Sequence, residues 1–590
     1  MVYQLIEDAL KNEFKELCRM IDELEVFKTG MTAEARKIMC AKNRELKKIK
    51  LIIDSIRVRN DALYCVADVC NTEKMLYIAK NEVEPPTVFK DNIVCKIDGY
   101  TISMVDFNVD NLRRLLREKP EFGPKNLGKT SRLGLGVRML FTLHHLLNAL
   151  KELNIPADFQ LSAGREFSLK DVVDAPPGIY PEWLGHTGLD AETLYNSIAL
   201  ECFKMGFDDY GAEIDHLIIV RHPGRALTRI LSRGEQTGEY VSEELEASMD
   251  YNRRIIDEAV ETGFVRGITV DASDLIRYEF TDRSKWTIED VRERFWMEFG
   301  EEAEEVLRNV QPYHQYTLGY VEISFTEEEV MRFALKYRLC LLKSRELYEY
   351  FKRKIYGDFS FELSLDETPE LTDPKELFYC LSECRRMGMA VDLVAPNVGF
   401  SKREDYKGSL NELERRVEVL STIAGYFNAI LDFHSGSDKS VDVYRAIARA
   451  CKGRLKLKMS AIYQLKFFET LAEFPEGSEE RRIFEEIWDY TLEYVRRRAL
   501  EDDKVAEQQL REVSIRMGKA GFMKNPRDDF FRYYSFIAVN AKDLNGRRIF
   551  MDRLYGLSRK RDVYDKYAVK VFNVTRTVSD ALDLIRASSE

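Results

Sequence analysis

Short apolar runs alternate with amphipathic stretches through the middle of the chain, and this rhythm sets the expectation for its fold. Eight runs read as strands: Arg132 to Arg138, Asp158 to Ser162, Glu213 to Val220, Val265 to Asp271, Phe359 to Leu365, Ala390 to Ala395, Ala429 to His434 and Arg454 to Ser460. Each is short, dominated by apolar residues and bounded by turn formers or polar residues. Between the later runs, apolar positions recur at helical spacing over Pro374 to Met387, Leu410 to Tyr426 and Val441 to Lys452, with Asp373 and Ser409 placed as N-caps. Alternation of this kind favours a parallel sheet, and eight units favour closure into a (β/α)8 TIM-type barrel over an open doubly wound sheet. The fold class expected is α/β.

The flanks break that rhythm. Residues 1–118 read as an accessory α/β domain: helices over Tyr3 to Leu24 and from Ala33 onward, capped by Thr32, then strand pairs around Asn71-Thr72-Glu73 and Asp98-Gly99, then a helix over Asn108 to Arg117. The barrel is expected over residues 119–475, with a helical insertion over Thr281 to Tyr356 that reads as a lid or subdomain. Residues 476–590 form a helical C-terminal extension. It holds a Glu-rich helix over Ser478 to Val505, an aromatic cluster from Phe530 to Tyr534 expected to pack on the barrel or a subunit, and a last helix near Val578 to Ala587.

Composition narrows the function classes. With 45% hydrophobic and 32% charged residues, and no run near the ~20 apolar residues a membrane span requires, the chain reads as globular and not membrane-bound. Acids within the first ten residues argue against a signal peptide. A formal charge of −12 argues against a nucleic-acid partner. Ten cysteines without paired spacing suggest reduced thiols and a cytoplasmic location, with Cys380 and Cys384 as packing residues rather than zinc ligands.

The candidate chemistry centres on Leu431 to Lys439, where the apolar run Tyr426 to Phe433 ends in a polar turn. Groups at the carboxyl ends of barrel strands project into the mouth where ligands bind. His434 can offer a neutral nitrogen to a metal, and Ser435, Ser437, Asp438 and Lys439 can hold a polyhydroxylated or anionic ligand. The other strand ends supply Gln160, Ser162, Asp215, His216, Asp271, Glu362, Asp366, Glu367, Asn397 and Lys458. Carboxylates and imidazoles from several strands make the usual shell for Zn, Mn or Ni, although no pair matches a strict ligand spacing. Two alternatives stay open: Asp366 and Glu367 read equally as a cap before Thr368-Pro369, and one of Asp215 and His216 faces the barrel while the other faces out. Of the remaining histidines, His144 and His145 fall in a helical run, His186 and His222 in loops, and His314 in the insertion, from which it could approach the mouth. Neither a Walker loop, a G-x-G-x-x-G after a strand, a G-x-S-x-G elbow nor H-E-x-x-H is present.

An ordered series of segments resembles the tagaturonate epimerases of hexuronate catabolism. GAEIDHL at Gly211 to Leu217 is similar to Gly-Ala-Asp-x-Asp-His-Leu of that family, ITVDASD at Ile268 to Asp274 to its Thr-x-Asp-Pro-Ser, and FELSLDET at Phe361 to Thr368 to its Ser-Val-Asp-Glu-Thr. LVAPNVGFSKREDYKG at Leu393 to Gly408 resembles its Leu-Ala-Pro-Arg-Phe segment and following loop. HSGSDKSVDVY at His434 to Tyr444 is the most specific match, and GRLKLKMSA at Gly453 to Ala461 is similar in position to His-x-Lys-Thr-Ala-Gly. The chain departs from the pattern at Arg138-Met139-Leu140, where Pro-Gly-His is expected, and at Asn397, Lys456 and Met459; it has no histidine after His434.

The resemblance implies a metal-dependent TIM barrel acting on a small sugar acid or ketose, with a homo-oligomer left open. It implies His216, Glu362, His434 and Asp366 as ligands of a divalent metal, Glu367, Asp215 and Lys458 as catalytic groups, and Arg132, Gln160, Asn397, Ser435, Ser437, Asp438 and Lys439 as substrate-binding groups. Tagaturonate and fructuronate differ at a hydroxyl-bearing carbon β to the ketone, where α-proton abstraction cannot invert the centre. Retro-aldol cleavage and re-addition, or transient oxidation, is required; with no dinucleotide fingerprint, retro-aldol chemistry with a metal polarising the ketone is the one expected. The rival expectations are an aldolase or isomerase on a related sugar, which would release a C3 fragment or move the carbonyl, and a non-catalytic sugar-binding or assembly protein on the same barrel.

Overall fold

The computed structural model describes residues 2–80, 83–162, 189–220, 242–401, 404–459, 461–501 and 503–586. His186 and His222 lie outside the described residues. The chain divides into two units, Met1–Lys125 with Tyr195–Tyr210, and Asn126–Leu194 with Gly211–Glu590.

In the first unit, strands β1 (Ile49–Leu51), β2 (Arg57–Arg59), β3 (Ala62–Val69), β4 (Thr72–Lys80), β5 (Ile93–Ile97) and β6 (Tyr100–Asp106) form an antiparallel sheet in the order β1-β3-β4-β6-β5, with β2 also on β3. Two tight turns fix its register. Cys70 and Asn71 have φ of 53° and 65°, and Asp98 and Gly99 have 50° and 83°, the backbone that two-residue hairpin turns require. The helix Val2–Glu23 lays Phe14, Leu17, Met20 and Ile21 into one apolar cluster with Leu63, Cys65, Leu76 and Ile78 of the sheet. Thr32 caps the helix Ala33–Asn43 by accepting from Ala35 N at 3.1 Å. The buried Arg57 guanidinium pairs with Asp208 and lies over the Phe203 ring, 4.3 Å from its centroid, joining Tyr195–Tyr210 to the sheet.

All eight central runs form strands, and their ends differ from the expected ones by a few residues. β7 (Arg132–Gly136), β8 (Ala157–Ser162), β9 (Tyr210–Ile218), β10 (Gly267–Asp271), β13 (Ser360–Leu365), β14 (Leu393–Pro396), β15 (Ile430–Phe433) and β16 (Leu455–Met459) close into one barrel, in the order β10-β13-β14-β15-β16-β7-β8-β9; β11 (Gln315–Leu318) and β12 (Val321–Ser324) form a separate hairpin. Helices Pro374–Arg386, Leu410–Tyr426 and Val441–Cys451 connect the late strands, and Asp373 and Ser409 cap two of them as expected. Cys380 and Cys384 are buried in the first of these.

The stretch Thr281 to Tyr356 departs from the expected helical lid. Its long helix Glu327–Lys354 packs between Ser242–Glu261 and Pro374–Arg386, so it is the barrel's own connection from β10 to β13. Only Ile288–Phe299, Ala303–Val310 and the β11–β12 hairpin are additional. His314 stands edge-on to Tyr316, whose ring lies 4.6 Å from that of Phe378. Phe378 packs in turn on Tyr426 and Phe427, where the helix Leu410–Tyr426 ends just before β15 begins. The hairpin therefore lies at the amino-terminal side of the barrel, and His314 is far from the mouth.

In the C-terminal extension, Phe531 of the helix Asp529–Asn540 packs edge-on to Phe468 and Phe484, and Phe530 to Trp488, the packing role expected of the aromatic cluster. The last helix runs over Arg561–Ala581, starting well before the expected Val578, because Val563, Tyr567, Val571, Thr575 and Val578 make one buried stripe. His144 and His145 lie in the helix Leu143–Glu152, with the His145 ring 4.3 Å from Tyr564 and 5.0 Å from Tyr567. Among the described residues no helix is long and apolar enough to cross a membrane.

Candidate active site

Alternate residues of a barrel strand face inward, and in four strands the inward pair is ionisable: Glu213 and Asp215 on β9, Glu362 with Asp366 just past the end of β13, Asp432 with His434 just past the end of β15, and Lys456 and Lys458 on β16. β7 supplies the space, since a Cβ on Gly134 would stand 2.7 Å from Gln160 Oε1 and 3.2 Å from Lys456 Cε. These groups stack in two layers.

The upper layer lies at the carboxyl ends of the strands, around His434. Its Nε2 is 2.6 Å from Glu362 Oε1 and 3.7 Å from Asp432 Oδ2, and its Nδ1 is 2.9 Å from Asp366 Oδ1, which also accepts from Ser364 at 2.7 Å. Lys458 is ion-paired with Asp215 and stands 3.6 Å from Glu362 Oε1. Asp215 and His216 were expected to face opposite ways, but a register shift opposite Ile268 to Val270 places a bulge there, with His216 at φ 53°. Both side chains enter the site as a result. The His216 ring lies 4.7 Å from that of His434, and its Nδ1 is 3.9 Å from Asp271.

Electrostatics separate the two histidines. Burial alone would lower His434, but Asp366 and Glu362 outweigh burial and the nearby Lys458, and carry it well above its ordinary value. Burial and Lys458 hold His216 below the usual range, so it stays neutral with a lone pair to offer. Burial would raise Asp215, yet Lys458 keeps it below the usual carboxylate range.

The lower layer is organised by Lys456, whose ammonium is fully buried 2.6 Å from Glu213 Oε2, 3.0 Å from Glu362 Oε2, 3.2 Å from Asp432 Oδ2 and 3.9 Å from Asp158 Oδ2. Burial pushes Glu213 up to about 7, against the pull of Lys456.

Several expected substrate groups are placed elsewhere. Arg132 opens β7 at its amino-terminal end, wholly buried, with its guanidinium committed to Asp158 and to the Gly128 and Thr130 carbonyls. A strand's first residue cannot reach the mouth at its last. Gln160 donates to Glu213 in the lower layer at 3.1 Å. The Asn397 amide is used within its loop, donating to the Thr368 and Glu370 carbonyls and accepting from Gly399 N. Lys439 turns its ammonium onto the Ser401 and Glu404 carbonyls, and Asp438 pairs with Arg532 at 2.6 Å. Ser435 and Ser437 are half-buried on the loop beside His434, and Glu367 is half-buried just past Asp366. Asp432, Glu213 and Asp158 escaped the sequence analysis, and Lys456 entered it only as a departure.

The donor set suits a divalent cation. Glu362, Asp432 and His434 each offer one buried ligand atom, all within 4.8 Å of one another. Asp432 Oδ1 accepts no hydrogen bond, and Oδ2 is met by the Lys456 ammonium as an ion pair. The carboxylates of Asp158, Glu213, Asp215, Asp271, Glu362, Asp366 and Asp432 outnumber Arg132, Lys456, Lys458 and a protonated His434, and buried negative charge in excess calls for a counter-ion or protons. Mixed carboxylate and imidazole donors are of the hard to borderline kind that Mn, Ni and Zn accept.

Known proteins share this architecture. A curated Tagaturonate/fructuronate epimerase of Thermotoga maritima is 26% identical over 409 residues, covering 68% of this chain and 70% of its own. Crystal structures of the fructuronate-tagaturonate epimerase UxaE from Cohnella laeviribosi are 18% identical; with two glycerols bound, the TM-score is 0.62 over 93% of this chain and 100% of that one, and in the native form it is 0.60 over 92% and 99%. The family profile described as UxaE, tagaturonate epimerase, matches residues 250–572, which takes in five of the eight barrel strands and every group of the upper layer except Asp215 and His216. The chain belongs to the tagaturonate epimerase family, a family of carbohydrate epimerases on a (β/α)8 barrel.

Proposed function

We propose that this chain is a metal-dependent epimerase that interconverts tagaturonate and fructuronate, or a closely similar ketouronate, by retro-aldol chemistry. The observation that carries this reading is the convergence of Glu362, Asp432 and His434 at the carboxyl end of the barrel, in a chain of this family.

By the retro-aldol route, inversion at the carbon β to the ketone proceeds through cleavage of the bond between the α and β carbons. The β hydroxyl loses its proton, its oxygen becomes an aldehyde, and the bonding electrons pass to the ketone fragment as an enediolate. After the aldehyde turns its other face, the bond reforms and the proton returns to the new hydroxyl. A divalent ion held by Glu362, Asp432 and His434, with His216 beside them, would polarise the ketone and offset charge developing on its oxygen. Asp366 fixes the His434 ring so that Nε2 faces Glu362 and Asp432. Lys458, steadied by Asp215, presents a cation to the substrate oxygens. Glu367 takes and returns the hydroxyl proton, supported by its position next to Asp366 at the end of β13. Ser435 and Ser437 offer hydroxyls to the sugar; Arg132, Asn397 and Lys439 are assigned structural roles instead.

One observation favours a second reading, a barrel that binds a sugar acid without turning it over: the Lys456 ammonium already offsets the outer oxygens of Glu362 and Asp432. Chelated protein, reconstituted with Mn, Ni or Zn and incubated with tagaturonate, fructuronate and tagatose, separates the two. Stoichiometric metal and interconversion of the uronates are expected. Failure to bind metal, with no turnover of any of the three, removes the epimerase reading and leaves the second.

A further inference from the structure

The C-terminal extension reaches the mouth of the barrel. Its helix Asp529–Asn540 touches the carboxyl-side connections of three neighbouring strands: Arg532 pairs with Asp438 after β15 at 2.6 Å, Ser535 meets Gln464 after β16 at 3.4 Å, and the Phe536 ring underlies Arg138 after β7 at 5.6 Å. Arg532 and Phe536 are one turn apart and so share a face of the helix.

The loop that Arg532 holds begins at His434. Within six residues it has two non-glycine positions in the left-handed region, Ser435 at φ 55° and Asp438 at 68°, a backbone that persists only when its surroundings over-determine it. From within the barrel, Tyr444 Oη donates to the Gly436 carbonyl at 2.8 Å and accepts from Lys439 N at 3.2 Å, and the Lys439 ammonium bridges to the Ser401 carbonyl at 2.9 Å. A Cβ at Gly436 would stand 2.4 Å from Leu457 Cδ1, so the loop lies directly on β16. The Arg532–Asp438 pair adds an anchor from the extension. Its two side chains are 20% and 14% exposed, sheltered enough for the pair to be more than a screened surface contact.

We propose that the C-terminal extension is part of the active site, and that Arg532, through Asp438, is a positioning residue that holds the loop carrying His434 in its strained, productive conformation. The kinetic consequence rests on the epimerase reading, but the effect on the loop does not. Displacing a catalytic group by a fraction of its reach lowers turnover far more than it lowers binding or stability.

The test compares Arg532→Gln, Asp438→Asn, the double variant, Arg532→Lys, and Arg553→Gln as a control that breaks the Arg553–Glu486 pair elsewhere on the extension. Hydrogen–deuterium exchange over residues 434–440 should accelerate in Arg532→Gln and Asp438→Asn but not in Arg553→Gln. For interconversion of tagaturonate, kcat should fall on the order of 10- to 100-fold with KM changed less than about threefold. The double variant should fall no further than the worse single one, since both remove the same pair, and Arg532→Lys should recover part of the loss. Unchanged exchange in Arg532→Gln overturns the proposal whether or not the protein is an epimerase. So does an active wild type in which the two single losses multiply, or in which Arg553→Gln loses as much turnover as Arg532→Gln. Accelerated exchange in a protein without turnover on any uronate upholds the clamp and rejects the epimerase reading.

Discussion

Replacing Lys456 by methionine keeps most of the side-chain volume and removes the one ammonium shared by Glu213, Glu362, Asp432 and Asp158 at 2.6 to 3.9 Å. Removing one partner of a buried ion pair typically costs about 3–5 kcal/mol, because the remaining charge is left without compensation. For a unit of roughly 450 residues the unfolding entropy is about 0.9 kcal/mol/K near 60 °C, so a loss of about 4 kcal/mol lowers the melting midpoint by roughly 4 °C. The loss has a defined pH dependence. Burial already holds Glu213 at about 7, and without the ammonium that opposes it the folded pKa of Glu213 rises further above its unfolded value. Raised folded values mean that the folded variant binds protons that the unfolded chain releases, so acid restores stability and rising pH removes it. Differential scanning calorimetry of chelated Lys456→Met against wild type should show the largest deficit at pH 8 and a shrinking one towards pH 5. A variant as stable as wild type at pH 8, or a deficit that grows on acidification, would refute the assignment of Lys456 as the counter-charge of this layer.

Two further outcomes follow from geometry and burial. His145 is lowered to about 4, mainly by burial, so it is neutral in the fold. Its contribution is complete above its ordinary pKa near 6.5 and is lost as pH falls from there towards 4; charging it costs about 3 kcal/mol, and His145→Phe should therefore flatten the fall in melting temperature between pH 7 and pH 4.5. An unaltered slope would count against that origin. Gly436→Ala drives a Cβ to within 2.4 Å of Leu457 and 3.1 Å of the Lys458 carbonyl, an overpacking of about 1–3 kcal/mol that also displaces the His434 loop, so kcat on tagaturonate should drop on the order of 10-fold or more while the chain remains folded by circular dichroism. Wild-type turnover in that variant would show that the loop tolerates the shift.

Physical periodicity explains what the chain disclosed in advance. Apolar runs bounded by turns marked all eight barrel strands, because a strand buried on both faces has to be nearly continuous in apolar residues. The same rule concealed Asp432, which sits inside the run Ile430–Phe433, and Glu213, which sits inside β9. Both lie two residues before a recognised site group, as Lys456 does before Lys458, so alternation along the strand was the signal that would have found them. Arg132 shows the converse: the family resemblance implied a substrate-binding group, but its place at the start of β7 puts it at the closed end. The joint inward entry of Asp215 and His216 depends on a bulge, a tertiary feature that no strict two-residue alternation predicts. The Arg532–Asp438 contact spans 94 positions and has no local signature at all.

The central claim, that His434 belongs to a metal-holding catalytic site at the barrel mouth, is tested most directly by measuring bound metal and tagaturonate turnover together in wild type and His434→Ala. After chelation and reconstitution with Mn, Ni or Zn, wild type should hold stoichiometric metal and interconvert tagaturonate and fructuronate. His434→Ala should lose both while keeping its secondary structure, since the imidazole caps the end of β15 rather than filling the barrel core. A variant that unfolds without losing metal, or that retains wild-type metal content and turnover, would contradict the account.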